Sequence, residues 1–349
     1  PSPGVSITSQ PDRTFPDATP PVPWNAVNYH FTRMCNYNCG FCFHTATSSK
    51  RLTLADSKRI IQMLADAGMK KINFAGGEPF LYPADLGEMC RFSSETCKLY
   101  VSIVTNGSKV TEAWVAKWGQ WVNMVAVSID SADDETNREI GRHSEAAQEC
   151  QRLCGAKALW AFHNAGVPVK VNTVVNRYNA EEDMNSFLAT LPPLKRWKVF
   201  QVLEVKGENS GTRQVARPEA PGAMMDQFAA DGSIVQVPAV VMEPAMRDCS
   251  RFLIPDDAFQ RYIERHRKHN PVPEDNTTMR NSYVLVDEEG RFLDNSQGSK
   301  VPGPRILDVG VDAAFAPIEF DSEAFERRQG GFFRDEAVTR APLRDIEDL

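Results

Sequence analysis

From Trp24 onward, short apolar runs of period two alternate with stretches of helical period. The strand-type runs are VNYHFT (27–32), KINFAGG (71–77), LYVSIVTNG (99–107), VNMVAVSID (122–130), VKVNTVV (169–175) and RWKVFQVLEV (196–205). Between them the spacing predicts helices over 53–67, 83–95, 111–119 and 145–165, and another from about 180. The first of these is well punctuated: Thr53 and Asp56 stand in the S/T-x-x-D/E capping arrangement, Ile60, Ile61 and Leu64 share a face, and Gly68 follows the end. Six strands joined by crossover helices imply an α/β fold with a parallel sheet. The expected architecture is a partial (β/α)6 TIM-like barrel over 24–206, with its chemistry at the C-terminal ends of the strands.

Outside that span the pattern changes. Residues 1–23 are rich in proline and small polar residues, which predicts a disordered arm. Residues 207–248 open with GENSGTRQVARPEAPGA and hold one apolar run, VQVPAVVM, so an insertion or long loop is expected. In 249–349, RFLIPDDAFQRYIERHRKH reads as one helix, SYVLVDEEGRFLD as two strands around a Gly-containing turn, and 321–328 as a short helix. This C-terminal extension is expected to cap and complete the site.

The formal charge of -7 argues against a general nucleic-acid or membrane-surface binder, so an anionic ligand would have to meet a local basic pocket. No run approaches the roughly 20 apolar residues of a membrane span. A soluble, cytoplasmic protein is expected. Because the chain starts PSPG without an initiator Met, a native targeting segment would lie outside it.

Three of the eight cysteines, Cys35, Cys39 and Cys42, fall within CNYNCGFCF as C-x3-C-x2-C. A structural zinc site asks for four ligands, usually from two C-x2-C pairs, and His44 does not supply a normal zinc spacing. A cubane iron-sulfur cluster held by three thiolates keeps one iron open for a ligand. Cys150 and Cys154 share a helical face but lack a second pair, and with Cys90, Cys97 and Cys249 they read as small buried hydrophobes.

The C-x3-C-x-aromatic-C arrangement after the first strand resembles the radical S-adenosylmethionine (radical SAM) family. That resemblance implies a 4Fe-4S cluster whose open iron is chelated by S-adenosyl-L-methionine, which is cleaved reductively to a 5′-deoxyadenosyl radical. By the same resemblance Phe41 lies against adenine, and GGEP (Gly76, Gly77, Glu78 and Pro79) meets the methionine amino group. Thr105, Asn106, Ser128 and Arg142 are similar to the family's ribose and carboxylate contacts.

VNYHFTRMCNYNCGFCFHTATSS, INFAGGEPF, VNTVVNRYN, RWKVFQVLEVKGEN and ILDVGV narrow the resemblance to the viperin family, over about 24–315. It implies dehydration of a ribonucleoside triphosphate, CTP first and UTP or another nucleotide as alternatives, to its 3′-deoxy-3′,4′-didehydro analogue, an antiviral chain terminator. A triphosphate needs several converging cations. Lys71, Lys170, Arg196, Lys198 and Lys300 resemble the family's triphosphate-binding set, while Asn28 and Asn172 resemble its polar nucleotide contacts. Tyr283 in NSYVLV resembles the family's tyrosine over the substrate sugar, which would donate hydrogen late in the reaction, and is otherwise an ordinary strand aromatic.

The implied partners are a reducing electron donor and the cytosolic iron-sulfur assembly machinery. The second is weakened because the chain ends IEDL where animal members end in an aromatic; two other departures are Ala75 in place of the animal Ser, which removes one phosphate contact, and a longer 207–248, which bears on access to the pocket. The rival reading is a cluster-bearing interaction protein without catalysis, which would have no need of GGEP, the lysines or Tyr283.

Overall fold

The computed structural model describes residues 22–144, 150–215, 224–228, 234–238 and 241–328. The Pro-rich arm through residue 21, the first residues of the helix expected from 145, and the C-terminal IEDL lie outside them.

Six strands form in the expected places: β1 (Ala26–His30), β2 (Lys71–Ala75), β3 (Tyr100–Thr105), β4 (Met124–Ser128), β5 (Val169–Val175) and β6 (Arg196–Gln201). All neighbouring pairs among them are parallel, in spatial order β6-β5-β4-β3-β2-β1. The connections are α1 (Leu54–Asp66), α2 (Pro83–Glu95), α3 (Glu112–Trp118), α4 (Asp134–Glu139), α5 (Gln151–Asn164) and, near β6, the single turn α6 (Asn185–Leu188). Alternation along each strand separates two environments. One set of positions, including Tyr29, Phe74, Ile103, Val127, Val171 and Trp197, joins the apolar core beneath the helices. Tyr29 shows the direction, since its hydroxyl donates to Ser57 Oγ on α1 at 3.1 Å.

The sheet extends past both ends of this set, and it stays open rather than closing into a barrel. β11 (Val272–Glu274) adds in parallel to β6, and β12 (Leu285–Val286) in parallel to β1. β13 (Arg291–Asp294) and β14 (Val301–Arg305) follow antiparallel. β14 was not expected from the sequence because VPGPR contains two prolines, which an edge strand tolerates. Before β11, α7 (Asp256–Arg265) covers β6, with Tyr262 edge-on to Trp197 at 6.3 Å. It is shorter than the single helix expected over 251–269, because Pro255 fixes its start and Asn270 turns left-handed at φ 49° beyond its end.

Two further expectations need correction. The helix from about 180 shrinks to α6, because Asn176 and Asn179 draw the preceding backbone into side-chain-bonded turns: Asn179 Oδ1 accepts from Asn176 N at 2.7 Å, and its Nδ2 donates to Asp130 O at 2.7 Å. The 207–248 segment is not a plain loop. It contains β7 (Ser210–Val215), β8 (Met224–Phe228), β9 (Ile234–Pro238) and β10 (Val241–Asp248), paired antiparallel as β7 with β10 and β8 with β9.

The N-cap of α1 forms as the sequence implies, with Thr53 Oγ1 accepting from Asp56 N at 3.1 Å. Thr53→Ala is expected to cost about 1 kcal/mol, read as a lowered denaturation midpoint with an unchanged m-value.

Candidate active site

At the C-terminal end of β1 the chain enters the loop that carries Cys35, Cys39 and Cys42, all free thiols. The GGEP turn after β2 packs directly on that loop. Gly77 N donates to Thr32 O at 2.7 Å and Glu78 N to Met34 O at 2.8 Å. A Cβ on Gly77 would sit 2.1 Å from Met34 O, and one on Gly76, at φ 149°, 2.3 Å from Thr32 O. The close approach that glycine permits here is therefore to the backbone leading into the cysteines. Glu78 is fully buried, and its carboxylate accepts from Phe80 N (3.0 Å), Thr105 Oγ1 (2.7 Å) and Asn106 N (2.7 Å). It thus ties the β2 turn to the β3 turn. Asn106 Nδ2 then donates to Asn36 Oδ1 at 3.0 Å and lies 4.0 Å from Cys35 Sγ.

The far side of the cysteine loop is pinned by Asn38 N to Gly141 O and Gly40 N to Ile140 O, each at 3.1 Å. Gly141, at φ 76°, leaves room for Asn38. Next to it Arg142 pairs with the buried Asp130 at 2.6 Å, and its guanidinium lies 5.6 Å from the Phe41 ring centre. Phe41 itself is buried edge-on to Phe252. Burial pushes the Cys35 thiol up to about 12 and Cys39 to about 11, with neighbouring thiols adding to both and Arg142 opposing the shift at Cys39.

Gln151, the first residue of α5, was not singled out from sequence. Its Nε2 donates to Asn106 O and Ser128 O, both at 2.8 Å, and its Oε1 accepts from the Tyr37 hydroxyl. One buried amide thereby joins the ends of β3 and β4 to the cysteine loop. The root of the 207–248 segment grips the same loop. Asn209 Nδ2 donates to Phe41 O at 3.2 Å, Arg247 bonds Asn38, and Glu208 accepts from Thr45 N at 2.8 Å. Arg33 adds a buried ionic tie, reaching Glu208 at 2.9 Å and Glu288 at 2.8 Å.

The inner face of the sheet is polar. Asn73 Nδ2 donates to Asn28 Oδ1 at 2.7 Å, and the buried Asn73 Oδ1, Ser102 Oγ and Asn172 Oδ1 have no partner among the described residues. Toward the N-terminal ends of the strands lie Lys71, Lys170, Arg196 and Lys198, with Lys170 beside Arg196 and Asn172 beside Lys198 in register. Arg328 joins them from the C-terminal extension. Its guanidinium covers the Tyr283 ring at 3.5 Å, and its carbonyl accepts from Arg196 at 3.2 Å. It was not singled out from sequence, because nothing local marks the second Arg of FERRQ as facing the sheet.

Among the described residues, the carboxylate set with these cations is Glu274 on β11, paired with Lys198 and accepting the Tyr283 hydroxyl. Burial pushes the Lys198 ammonium down to about 7, with Glu274 opposing the fall, and Lys170 to about 8, with Arg196 adding to it. Burial and then Lys170 and Lys198 hold Lys71 well below the usual lysine range.

Lys300 departs from the expected set. Its ammonium donates to Phe43 O at 2.7 Å and meets His44 Nδ1 at 3.1 Å, beside the cysteine loop. His44 stacks on His30 with ring centres 4.3 Å apart, and burial keeps both imidazoles neutral.

The Radical SAM superfamily profile matches residues 29–191. The S-adenosylmethionine-dependent nucleotide dehydratase RSAD2 of Oncorhynchus mykiss is 39% identical over 320 residues, covering 90% of this chain and 82% of that protein. The S-adenosylmethionine-dependent nucleotide dehydratase of Flammeovirga pacifica is 30% identical over 313 residues, covering 87% and 94%. The chain belongs to the radical SAM nucleotide dehydratases. The structure of native anSMEcpe with bound AdoMet agrees in fold, with a TM-score of 0.55 at 14% identity over 86% of this chain and 82% of that one.

Membership brings a 4Fe-4S cluster and S-adenosyl-L-methionine, and the C-terminal end of the sheet suits them. The three thiols sit on one loop, and a cubane takes one thiolate on each of three irons. The Arg142 guanidinium faces them with positive charge, and the bonds of Glu78, Asn106 and Gln151 hold the surrounding turns in fixed relation. Gly77→Ala is expected to push the GGEP turn off the cysteine loop and to lose most of the bound iron and sulfide after reconstitution, measured by metal and sulfide analysis.

Proposed function

We propose that this radical SAM dehydratase acts on a ribonucleoside triphosphate, CTP first, giving the 3′-deoxy-3′,4′-didehydro nucleotide. The supporting observation is the convergence of Lys71, Lys170, Arg196, Lys198 and Arg328 at the far end of a polar inner face. Five largely buried cations set around a carboxylate that, among the described residues, is Glu274 are costly in a protein of net negative charge, and a polyanion of about four charges relieves that cost.

Parallel strands set the distance. From Lys71 to Gly76 is five residues, roughly 16 Å at about 3.3 Å per residue. A phosphate tail anchored at the cationic end leaves the sugar along the row of Asn28, Asn73, Ser102 and Asn172, where the Asn73, Ser102 and Asn172 oxygens without a partner among the described residues suit hydroxyl and amino groups.

When bound, the cluster and S-adenosyl-L-methionine supply a radical able to take the C4′ hydrogen. The chain's own contribution is placement: the cations fix the tail, and the asparagines fix the sugar so that C4′ is the hydrogen presented. Loss of the 3′-hydroxyl as water, with uptake of an electron and a proton, completes the product. Tyr283, its hydroxyl held by Glu274 and its ring by Arg328, is the candidate hydrogen donor at that stage. A product without a 3′-hydroxyl cannot be extended by an RNA polymerase, which supports an antiviral chain-terminating role. The electron donor and the machinery that inserts the cluster are further proposed partners.

The test is anaerobic incubation of the reconstituted, reduced protein with S-adenosyl-L-methionine and each ribonucleoside triphosphate in turn. The expected result is 5′-deoxyadenosine together with a nucleotide lighter by one water, fastest with CTP. Background 5′-deoxyadenosine with all four would refute the substrate class, and a faster UTP reaction would reassign the base. Lys170→Met is expected to weaken triphosphate binding by at least about tenfold.

Charge linkage gives a second check. An anion favours the charged lysines and raises their pKa from about 7 and about 8 in the free protein, so at pH 8 binding takes up protons. At pH 6 both are already protonated and this uptake disappears. Calorimetry in buffers of different ionisation enthalpy reads the difference directly.

A further inference from the structure

Among the described residues Glu274 is the one fully buried carboxylate set among the cations, and the dehydration scheme uses it only to hold the Tyr283 hydroxyl. Its surroundings say what it does. One oxygen pairs with the Lys198 ammonium and the other accepts the Tyr283 hydroxyl. Both oxygens are therefore engaged by the pocket's own donors. Parallel pairing of Val272–Glu274 with Lys198–Phe200 holds the carboxylate on the strand beside Lys198. Lys170 and Arg196 also respond to its charge. Lys198 has a second neighbour, the Tyr283 hydroxyl at 3.4 Å.

We propose that Glu274 is the free enzyme's own counter-anion, standing in for a phosphate among the cations and releasing Lys198 to the substrate's phosphate on binding. The inference rests on the reading that this basic group takes a triphosphate. A buried cluster of like charges cannot fold cheaply without an anion, and one fixed carboxylate lowers that cost without filling the seat. When the polyanion arrives, Lys198 changes partner and Glu274 keeps its bond to Tyr283. Glu274 is thus a positioning residue whose charge opposes substrate affinity. A residue that bound the ribose hydroxyls directly would do the opposite.

The experiment compares the reconstituted full-length protein with its Glu274→Gln variant, which keeps the side chain's size and its ability to accept from Tyr283. Titration calorimetry with inorganic tripolyphosphate and with CTP reads affinity, and thermal melting reads stability. The expected result is binding tightened by roughly tenfold for both probes, a lower melting temperature without ligand, and closure of that gap at saturating tripolyphosphate. Unchanged or weaker binding by the variant, while the wild type binds, overturns the counter-anion role and leaves the triphosphate reading standing. Failure of the wild type to bind either probe overturns both.

A second variant covers the case in which Glu274→Gln does not fold. Glu274→Gln with Lys198→Gln removes the pair together. It is expected to melt above the single variant and to bind tripolyphosphate more weakly than the wild type. No recovery of stability in the double variant also overturns the proposal.

Discussion

The rest of the structure depends on a two-residue alternation in strands that all run the same way. Tyr29, Phe74 and Val127 point into the helical layer, and their neighbours Asn28, Asn73 and Ser128 lie on the other side. Because the strands are parallel, one end of that inner face collects every turn that follows a strand, and the other collects every strand's first residues. The cysteine loop, GGEP and the β3 turn gather at the first end. Lys71, Lys170 and Arg196 gather at the second. A one-residue slip in any of these strands would exchange its inner and outer residues, placing lysines in the apolar layer.

The two ends solve opposite electrostatic problems. At the cofactor end the groups that tie the turns together are satisfied within the protein: Glu78 accepts three bonds, Gln151 makes three, and Arg33 is shared between two buried glutamates. Such saturation favours a rigid arrangement before any ligand arrives. At the cationic end the balance is left open, with lysines held below their ordinary ionisation and side-chain oxygens of Asn73 and Asn172 unpaired among the described residues. One end is built to hold its shape, the other to respond to charge.

What could be read in the sequence divides along the same physical line. β1 to β6 and α1 were legible because period and capping are local properties, and Cys35, Cys39 and Cys42 declare themselves by spacing within one loop. Gln151, Glu274 and Arg328 were invisible because their meaning is their partners: Gln151 meets Tyr37 114 residues away, and Lys198 meets Glu274 76 residues away. Lys300 illustrates the reverse case. Its resemblance to a position of the family's triphosphate-binding set grouped it with the other cations, whereas the turn between β13 and β14 carries it to His44 and Phe43. The strands of 207–248 escaped notice because Gly, Pro and polar residues there mask the short alternations.

Glu208 and Asn209 at one foot of that segment and Arg247 at the other hold the cysteine loop, and Cys249 N closes on Asn209 O at 2.7 Å. The functional constraint is therefore concentrated in the two feet, which sit side by side. Once they are fixed, the entropy of closing the intervening chain rises by only about 0.6 kcal/mol for each doubling of its length. On that entropy alone, lengthening or shortening the stretch between the feet by tens of residues would cost little and leave their hold on the cysteine loop in place.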